Sequence, residues 1–298
     1  MSLWRSDGEW ASPLSRAMAK LARLPTVKAW AWGMAGLLTI VALDGSVRSI
    51  GLRLVPLYVP LLCAVFWTLK RWQPIAFAIL TAIVALIPDV VTAPVGVAMI
   101  GNALVRATTY LFLALIIGAY RRAYDEADYR AMYDALTGAL NRLPFEAAVI
   151  RHLAAARRAR ETLLAASIDL DGFKQINKSF GQAAGDAALQ AFSEEALRAV
   201  RGSDLFGRLG GDKFGFLLGA SSAQNAEALA HLLHQRVTST LGKSGFALSC
   251  SMGALIVGPN STLTDGELFE RATGLMRQVK ENGKGKVLTA IAPGNAQA

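Results

Sequence analysis

Arg201–Phe214 reads RGSDLFGRLGGDKF. Two short apolar runs meet at Gly210-Gly211, the pattern of a β-hairpin whose turn is the glycine pair. Upstream, Leu163–Leu170 is an apolar run of strand length, and Asp169 and Asp171 punctuate its end. Helical stretches flank these strands at about Pro144–Arg160, Ala183–Val200, Ala223–Leu241 and Asp265–Asn282. Further strands are expected at Phe246–Val257 and Val287–Ile291. Strand and helix interleaved around one central hairpin make an α/β fold of the split βαβ kind, βαββαβ.

That order brings specific residues together. The strand ending in Asp169 neighbours the hairpin in such a sheet, so Asp169 and Asp212 are expected to converge at one edge. Two carboxylates beside a glycine turn suit Mg²⁺, which typically binds through one or two carboxylates plus substrate phosphates. Glycines let backbone N–H groups approach phosphate oxygens unobstructed. Lys280 and Lys284, one helical turn apart, are placed to reach the same phosphates. The residues alone therefore suggest a Mg²⁺-dependent nucleotide site for phosphoryl or nucleotidyl transfer. The bland alternative is an exposed hairpin with solvated charges.

The N-terminal half has another character. Over 298 residues the chain is 53% hydrophobic and only 18% charged, with mean hydropathy +0.35. These values disfavour a wholly soluble or disordered protein. Apolar blocks run at about Ala29–Leu43, Ile50–Leu69, Pro74–Val91 and Val95–Ala119. A spanning helix needs roughly 17–25 mainly apolar residues; the last three blocks qualify, and the first is short. A cleaved signal peptide is disfavoured for the first block, since no small-x-small site follows and three more apolar blocks do. Basic residues flank one side of the blocks: Arg5, Arg16, Lys20, Arg23 and Lys28, then Lys70 and Arg71, then Arg121 and Arg122. The opposite breaks hold Asp44 and Asp89, with Arg48 and Arg53. The positive-inside rule then gives about four spans with both termini cytoplasmic. Arg106 lies deep in the fourth block, one turn after Asn102, where a charge either serves a function or pairs within the bundle. The domain organisation expected is a cytoplasmic segment 1–28, a membrane domain 29–120, a connecting helix 121–134 and a nucleotide domain 135–298. Ala123, Ala127 and Ala131 put a small-residue stripe on the connector.

The net charge of +9 suits nucleic acid, anionic lipid or phosphate ligands. Part of it flanks the apolar blocks and no aromatic-basic stripe appears, so nucleic acid is not an expected partner. Cys63 and Cys250 lie far apart in apolar stretches and read as small core residues in a reducing compartment. Three histidines without ligand spacing make a zinc site unexpected.

Several blocks resemble one family. Asp134–Phe145 (DALTGALNRLPF), Asp169–Asn177 (DLDGFKQIN), Gly181–Asp186 (GQAAGD), Arg201–Phe214 and Lys280–Lys286 (KENGKGK) follow the order and spacing of GGDEF domains. The resemblance covers about Asp134 to Ile291 and implies a nucleotidyl cyclase-like fold and diguanylate cyclase chemistry. Two GTP condense to cyclic di-GMP and two pyrophosphates, each 3′-hydroxyl attacking the α-phosphate of the opposing GTP, so a homodimer is implied. It further implies Mg²⁺ (or Mn²⁺) held by the Asp169 and Asp212 side chains and the Leu170 carbonyl. Asn177 and Asp186 would bind the guanine edge, Gly210 and Gly211 would lie under the nucleotide, and Lys280 and Lys284 would hold phosphate. Phe173 and Lys174 complete the strand-end block. Arg201 and Asp204 match the RxxD pattern of an allosteric product site. The family is often fused to membrane sensors, so a multi-pass protein of a bacterial inner membrane is the expected setting, its bilayer a further partner.

The signature departs from the family at Lys213, where Glu is usual: a charge reversal next to the metal position. Gln182 stands for His, Lys178 for Asp and Lys284 for Arg. Two readings follow. The preferred one is a membrane diguanylate cyclase, slowed or silenced to the degree that Lys213 repels metal. The other is an inactive domain that senses cyclic di-GMP at Arg201 and Asp204, or GTP at the old site.

Overall fold

The computed structural model describes residues 21, 24–47, 54–92, 96–243 and 248–293. The chain divides into two compact units, Met1–Ala127 and Asp128–Ala298.

The first unit is helical. α1 is Thr26–Val47, α2 Val55–Thr68, α3 Gln73–Val84, α4 Ile87–Thr92, and α5 Val97–Met132. Prolines stand in the first turns of α2 and α3, where the missing N–H costs nothing because no intrahelical partner exists there. Among the described residues, three segments are long and apolar enough to cross a membrane: Thr26–Val47, Gln73–Val91 and Met99–Met132. The lengths differ from expectation. The first block, expected short, extends to 22 residues. The second contracts to 14 residues with Pro60 inside, about 21 Å of helix against a hydrocarbon core of about 30 Å. Tyr58, Leu62, Phe66, Phe77 and Tyr110 form the interior, while Leu104, Val105 and Phe112 of α5 are exposed. α5 runs without a break through most of the segment expected as a connector.

Asp44 and Asp89, assigned by the sequence to the outer breaks, are buried. Asp44 accepts the Leu54 N–H at 2.7 Å. Asp89 is ion-paired with Arg106, whose guanidinium also donates to the carbonyls of Ala85 at 3.1 Å and Asn102 at 3.4 Å. A buried charge is tolerable when paired and hydrogen-bonded, and both acids lie within helices, Asp44 in α1 and Asp89 in α4, rather than in breaks. Arg5, Arg16, Lys20, Arg23, Arg48 and Arg53 lie outside the described residues.

The second unit is an α/β domain. β1 is Leu140–Asn141, α6 Arg142–Ala159, β2 Thr162–Asp171, α7 Phe173–Phe180, α8 Gln182–Ala199, β3 Leu205–Gly210 and β4 Lys213–Ala220. α9 (Ala223–Lys243), β5 (Ser249–Val257), α10 (Asp265–Glu281) and β6 (Val287–Ile291) follow. The strand order is β1-β3-β4-β2-β5-β6. β2 is central and antiparallel to both β4 and β5. β1 pairs with β3, and β6 with β5, in parallel. This is the expected split βαβ core extended by one short edge strand, β1.

Alternation along β2 explains both faces. Leu164, Ala166, Ile168 and Leu170 enter one core with Phe192, Phe214 and Phe216. Leu163 and Ala165 enter the other with Phe145, Leu255 and Leu268. Beyond Ala165 that second row becomes Ser167, Asp169 and Asp171, so one strand face turns from apolar to acidic as the strand ends. α10 starts at a capping box of Thr264 and Glu267 and lies flush on β5: a Cβ at Gly253 would stand 2.1 Å from the Ala272 carbonyl oxygen. Cys250 is buried and both cysteines are free; burial pushes the Cys250 thiol up to about 12.

Candidate active site

The acidic end of β2 and the β3–β4 turn form one site. Asp169 is the register partner of Lys213, and the Leu170 N–H donates to the Asp212 carbonyl at 3.3 Å. Gly210 and Gly211 have φ of +136° and +58°, a left-handed path open to glycine, and the chain there reverses so that Asp212 sits beside Leu170. Arg208 braces this turn by donating to the Gly211 carbonyl at 2.9 Å and to Asp134 at 2.9 Å. Asp134 in turn accepts from the Thr137 N–H and hydroxyl.

A cleft of about 540 Å³ opens at this point, lined by Asp169, Leu170, Asp212, Lys213, Lys280 and Lys284, with Phe173 and Lys174 from the start of α7. The expected metal and phosphate residues are thus neighbours. Lys280 Nζ lies 2.5 Å from Asp169 Oδ1 and pairs with it. Burial holds the Asp169 carboxyl above the usual range and Asp212 adds to the rise, against the opposing pull of Lys280 and Lys213. Two carboxylates, Asp169 and Asp212, beside the Leu170 backbone in one cleft are a donor set that fits a hard divalent cation completing its shell with phosphate and water. Among the described residues no group of three or more His, Cys, Asp or Glu is gathered for a metal.

The residues expected at the guanine edge stand where α7 meets α8. A Cβ at Gly185 would lie 1.9 Å from Asn177 Oδ1 and 3.2 Å from Phe173 Cε2. Only glycine lets the Asn177 carboxamide rest against α8. Asn177 Oδ1 is buried with no hydrogen-bond partner, and Asp186 follows Gly185, half-buried. Phe173 joins this pair to the cleft, since it touches Gly185 and lines the wall beside Asp169.

Two residues, Asp171 and Arg208, have parts that the sequence alone did not assign. Asp171 is buried and accepts from the Ser249 hydroxyl at 2.9 Å, the Ser251 hydroxyl at 2.8 Å and the Gly285 N–H at 3.0 Å. It thereby ties the loop after α10 to the end of β2, with Lys284 held at φ +61°. Its signal was its spacing: Asp169 and Asp171 share a strand face. Arg208 carried no comparable signal.

Other expected residues lie apart. Arg201 is exposed before β3, and the Asp204 carboxylate accepts from the N–H groups of Arg201 at 2.8 Å and Gly219 at 3.1 Å. Gly210 lines a different, larger cleft of about 1080 Å³ between α6 and α10, to which Lys213 also contributes. None of the expected metal, phosphate or guanine-edge residues borders that cleft.

The profile of the family described as "Diguanylate cyclase, GGDEF domain" matches residues 131–286. The chain belongs to the GGDEF family. The diguanylate cyclase DgcS of Shewanella oneidensis is 31% identical over 165 residues, 54% of this chain and 53% of that one. The probable diguanylate cyclase DgcE of Escherichia coli is 31% identical over 185 residues, 60% of this chain and 16% of that one. The chain therefore spans about half the length of the first relative and less of the second. The coiled coil and GGDEF domain of DgcB from Caulobacter crescentus, solved in complex with c-di-GMP, is 21% identical with a TM-score of 0.54. It covers 64% of this chain and 99% of that structure, a likeness of fold.

Proposed function

We propose that this GGDEF protein is a membrane-anchored diguanylate cyclase that binds GTP at the end of β2 and, as a homodimer, condenses two GTP to cyclic di-GMP and two pyrophosphates. The observation that carries this reading is the convergence of Asp169, Asp212, Lys280 and Lys284 on one cleft. Lys280 and Lys284 hold the phosphates as point charges. The unpartnered Asn177 oxygen and the Asp186 carboxylate accept from guanine N2–H₂ and N1–H, a donor pair adenine lacks. Asp169 and Asp212, with the Leu170 carbonyl, hold Mg²⁺ (or Mn²⁺), which when bound neutralises charge developing on the attacked phosphate. Each subunit presents one GTP, so two must face each other for the 3′-hydroxyl of one to reach the α-phosphate of the other.

Anchoring uses α1, α3 with α4, and the apolar part of α5, with the 14-residue α2 as a short further crossing that local thinning of the bilayer accommodates. Four crossings leave both termini in the cytoplasm of a bacterial inner membrane, with Lys28, Lys70, Arg71, Arg121 and Arg122 on that side. GTP is available there, and the bundle is the route by which a signal controls turnover.

A second reading has its own support. The turn at Arg201–Asp204 is fixed by Asp204 bonding two backbone N–H groups, which leaves an exposed arginine on a rigid corner, suited to fork to phosphate or stack on guanine. A domain silenced by Lys213 would then act as a cyclic di-GMP receptor.

Full-length protein in nanodiscs, given GTP and Mg²⁺, should yield cyclic di-GMP above an Asp212→Ala control. No product, together with cyclic di-GMP binding that is lost on Arg201→Ala, would replace the cyclase by the receptor.

A further inference from the structure

We infer that lysine rather than metal holds the triphosphate in this cleft: GTP binds here without a divalent cation, and Lys213 is the residue responsible. The inference rests on the GTP reading above and adds how the ligand is held.

Four lysines, Lys174, Lys213, Lys280 and Lys284, line the cleft with only two aspartates. The lining is therefore cationic before any ion enters. One of the two acids is already engaged, since Lys280 Nζ sits 2.5 Å from Asp169 Oδ1. Lys213 is the cross-strand partner of that same aspartate, and its charge acts on the carboxylate.

An acid at position 213 would set three carboxylates against three lysines. A polyanionic triphosphate entering that site would need an added cation to offset the repulsion. Lysine at 213 changes the local charge by two and removes that need. The divalent ion is then required for the reaction at the α-phosphate and not for retention of the nucleotide. Lys213 is thus the residue that makes retention of GTP independent of the metal. Binding through ammonium groups alone also weakens with salt, as exposed charge pairs do.

The test is equilibrium titration of a fluorescent ribose-labelled GTP into the full-length protein in detergent, with Mg²⁺ or with EDTA. In the wild type, Kd should differ between the two by less than about threefold, and it should rise with salt in EDTA. In Lys213→Glu, binding in EDTA should weaken at least about tenfold and recover with Mg²⁺, with Lys213→Gln in between. Position 213 is exposed on a hairpin, and a melting curve of each variant verifies folding. A wild-type loss of more than about tenfold in EDTA, or a Lys213→Glu protein as metal-independent as the wild type, would overturn the inference. No binding under either condition would instead overturn the GTP reading on which it rests.

Discussion

The Asp171 carboxylate accepts the backbone N–H of Gly285 at 3.0 Å, across 114 residues of sequence. Two serine hydroxyls complete its shell. Asp171 thus acts on the cleft through Lys284, the residue before Gly285. Asp171→Asn keeps one acceptor and turns the other into a donor facing donors, which should cost roughly 1–3 kcal/mol of domain stability by urea unfolding. The Kd for GTP should rise several-fold while that for guanosine stays put, because only the phosphate side has moved. In a Lys284→Ala background the further loss on Asp171→Asn should vanish; full additivity would make Asp171 purely structural.

Gly185→Ala should erode base selection. The added methyl carbon needs the space of Asn177 Oδ1, 1.9 Å away, so Asn177 must swing out of its seat. Overpacking of this kind costs roughly 1–3 kcal/mol. Competition binding of GTP against ATP reads the functional part: the preference for GTP should fall at least about tenfold, the scale of one lost buried hydrogen bond to a base edge.

In the helical unit, Arg106 and Asp89 neutralise each other. Arg106→Leu or Asp89→Leu alone should lower stability by roughly 3–5 kcal/mol, because the remaining charge stays buried. The double variant should recover much of that loss. Thermal unfolding of full-length protein in detergent measures all three, and a double variant as unstable as the singles added together would refute the pairing.

Asp134 gives a pH dependence. Burial raises its carboxyl pKa, but hydrogen bonds from Thr137 and Arg208 and the Arg208 charge outweigh burial and hold it below 3.8. The folded state then binds this proton more weakly than the unfolded chain. The stabilisation is complete above the ordinary carboxylate value and is lost as pH falls through the folded one. Asp134→Asn should be less stable than the wild type near neutrality, and the gap should close as unfolding is followed into acid below pH 3.8.

The sheet was legible because its signals are local. An apolar run ending in acids and a glycine pair between two short runs suffice to name β2 and the hairpin, and their adjacency follows from the split βαβ order. β1 was not legible: two residues, Leu140 and Asn141, show no periodicity. α7 was hidden because Phe173–Phe180 is polar and short, and what makes it a helix is Ile176 packing into the core between Gly172 and Gly181. The helical unit was legible as apolar blocks but not as lengths, since a window of hydrophobicity does not register that Pro56 and Pro60 set the start and weaken the middle of α2. Nor did it distinguish a buried Asp89 from one in a loop, because the difference lies in Arg106, on another helix. At the site, residue types pointed to Asp169 and Asp212, whereas the parts played by Asp171 and Arg208 depend on contacts far along the chain.

The flush contact at Gly253 bears on which parts of this protein are free to diverge. The helix that carries Lys280 rests on strand backbone with no room for a methyl group, so its height above the sheet is a fixed dimension of the fold. Lys213 occupies an exposed hairpin, where reversing a charge disturbs no packing. Chemistry in this domain can therefore drift at the tip of the hairpin while the opposite wall stays bolted in place.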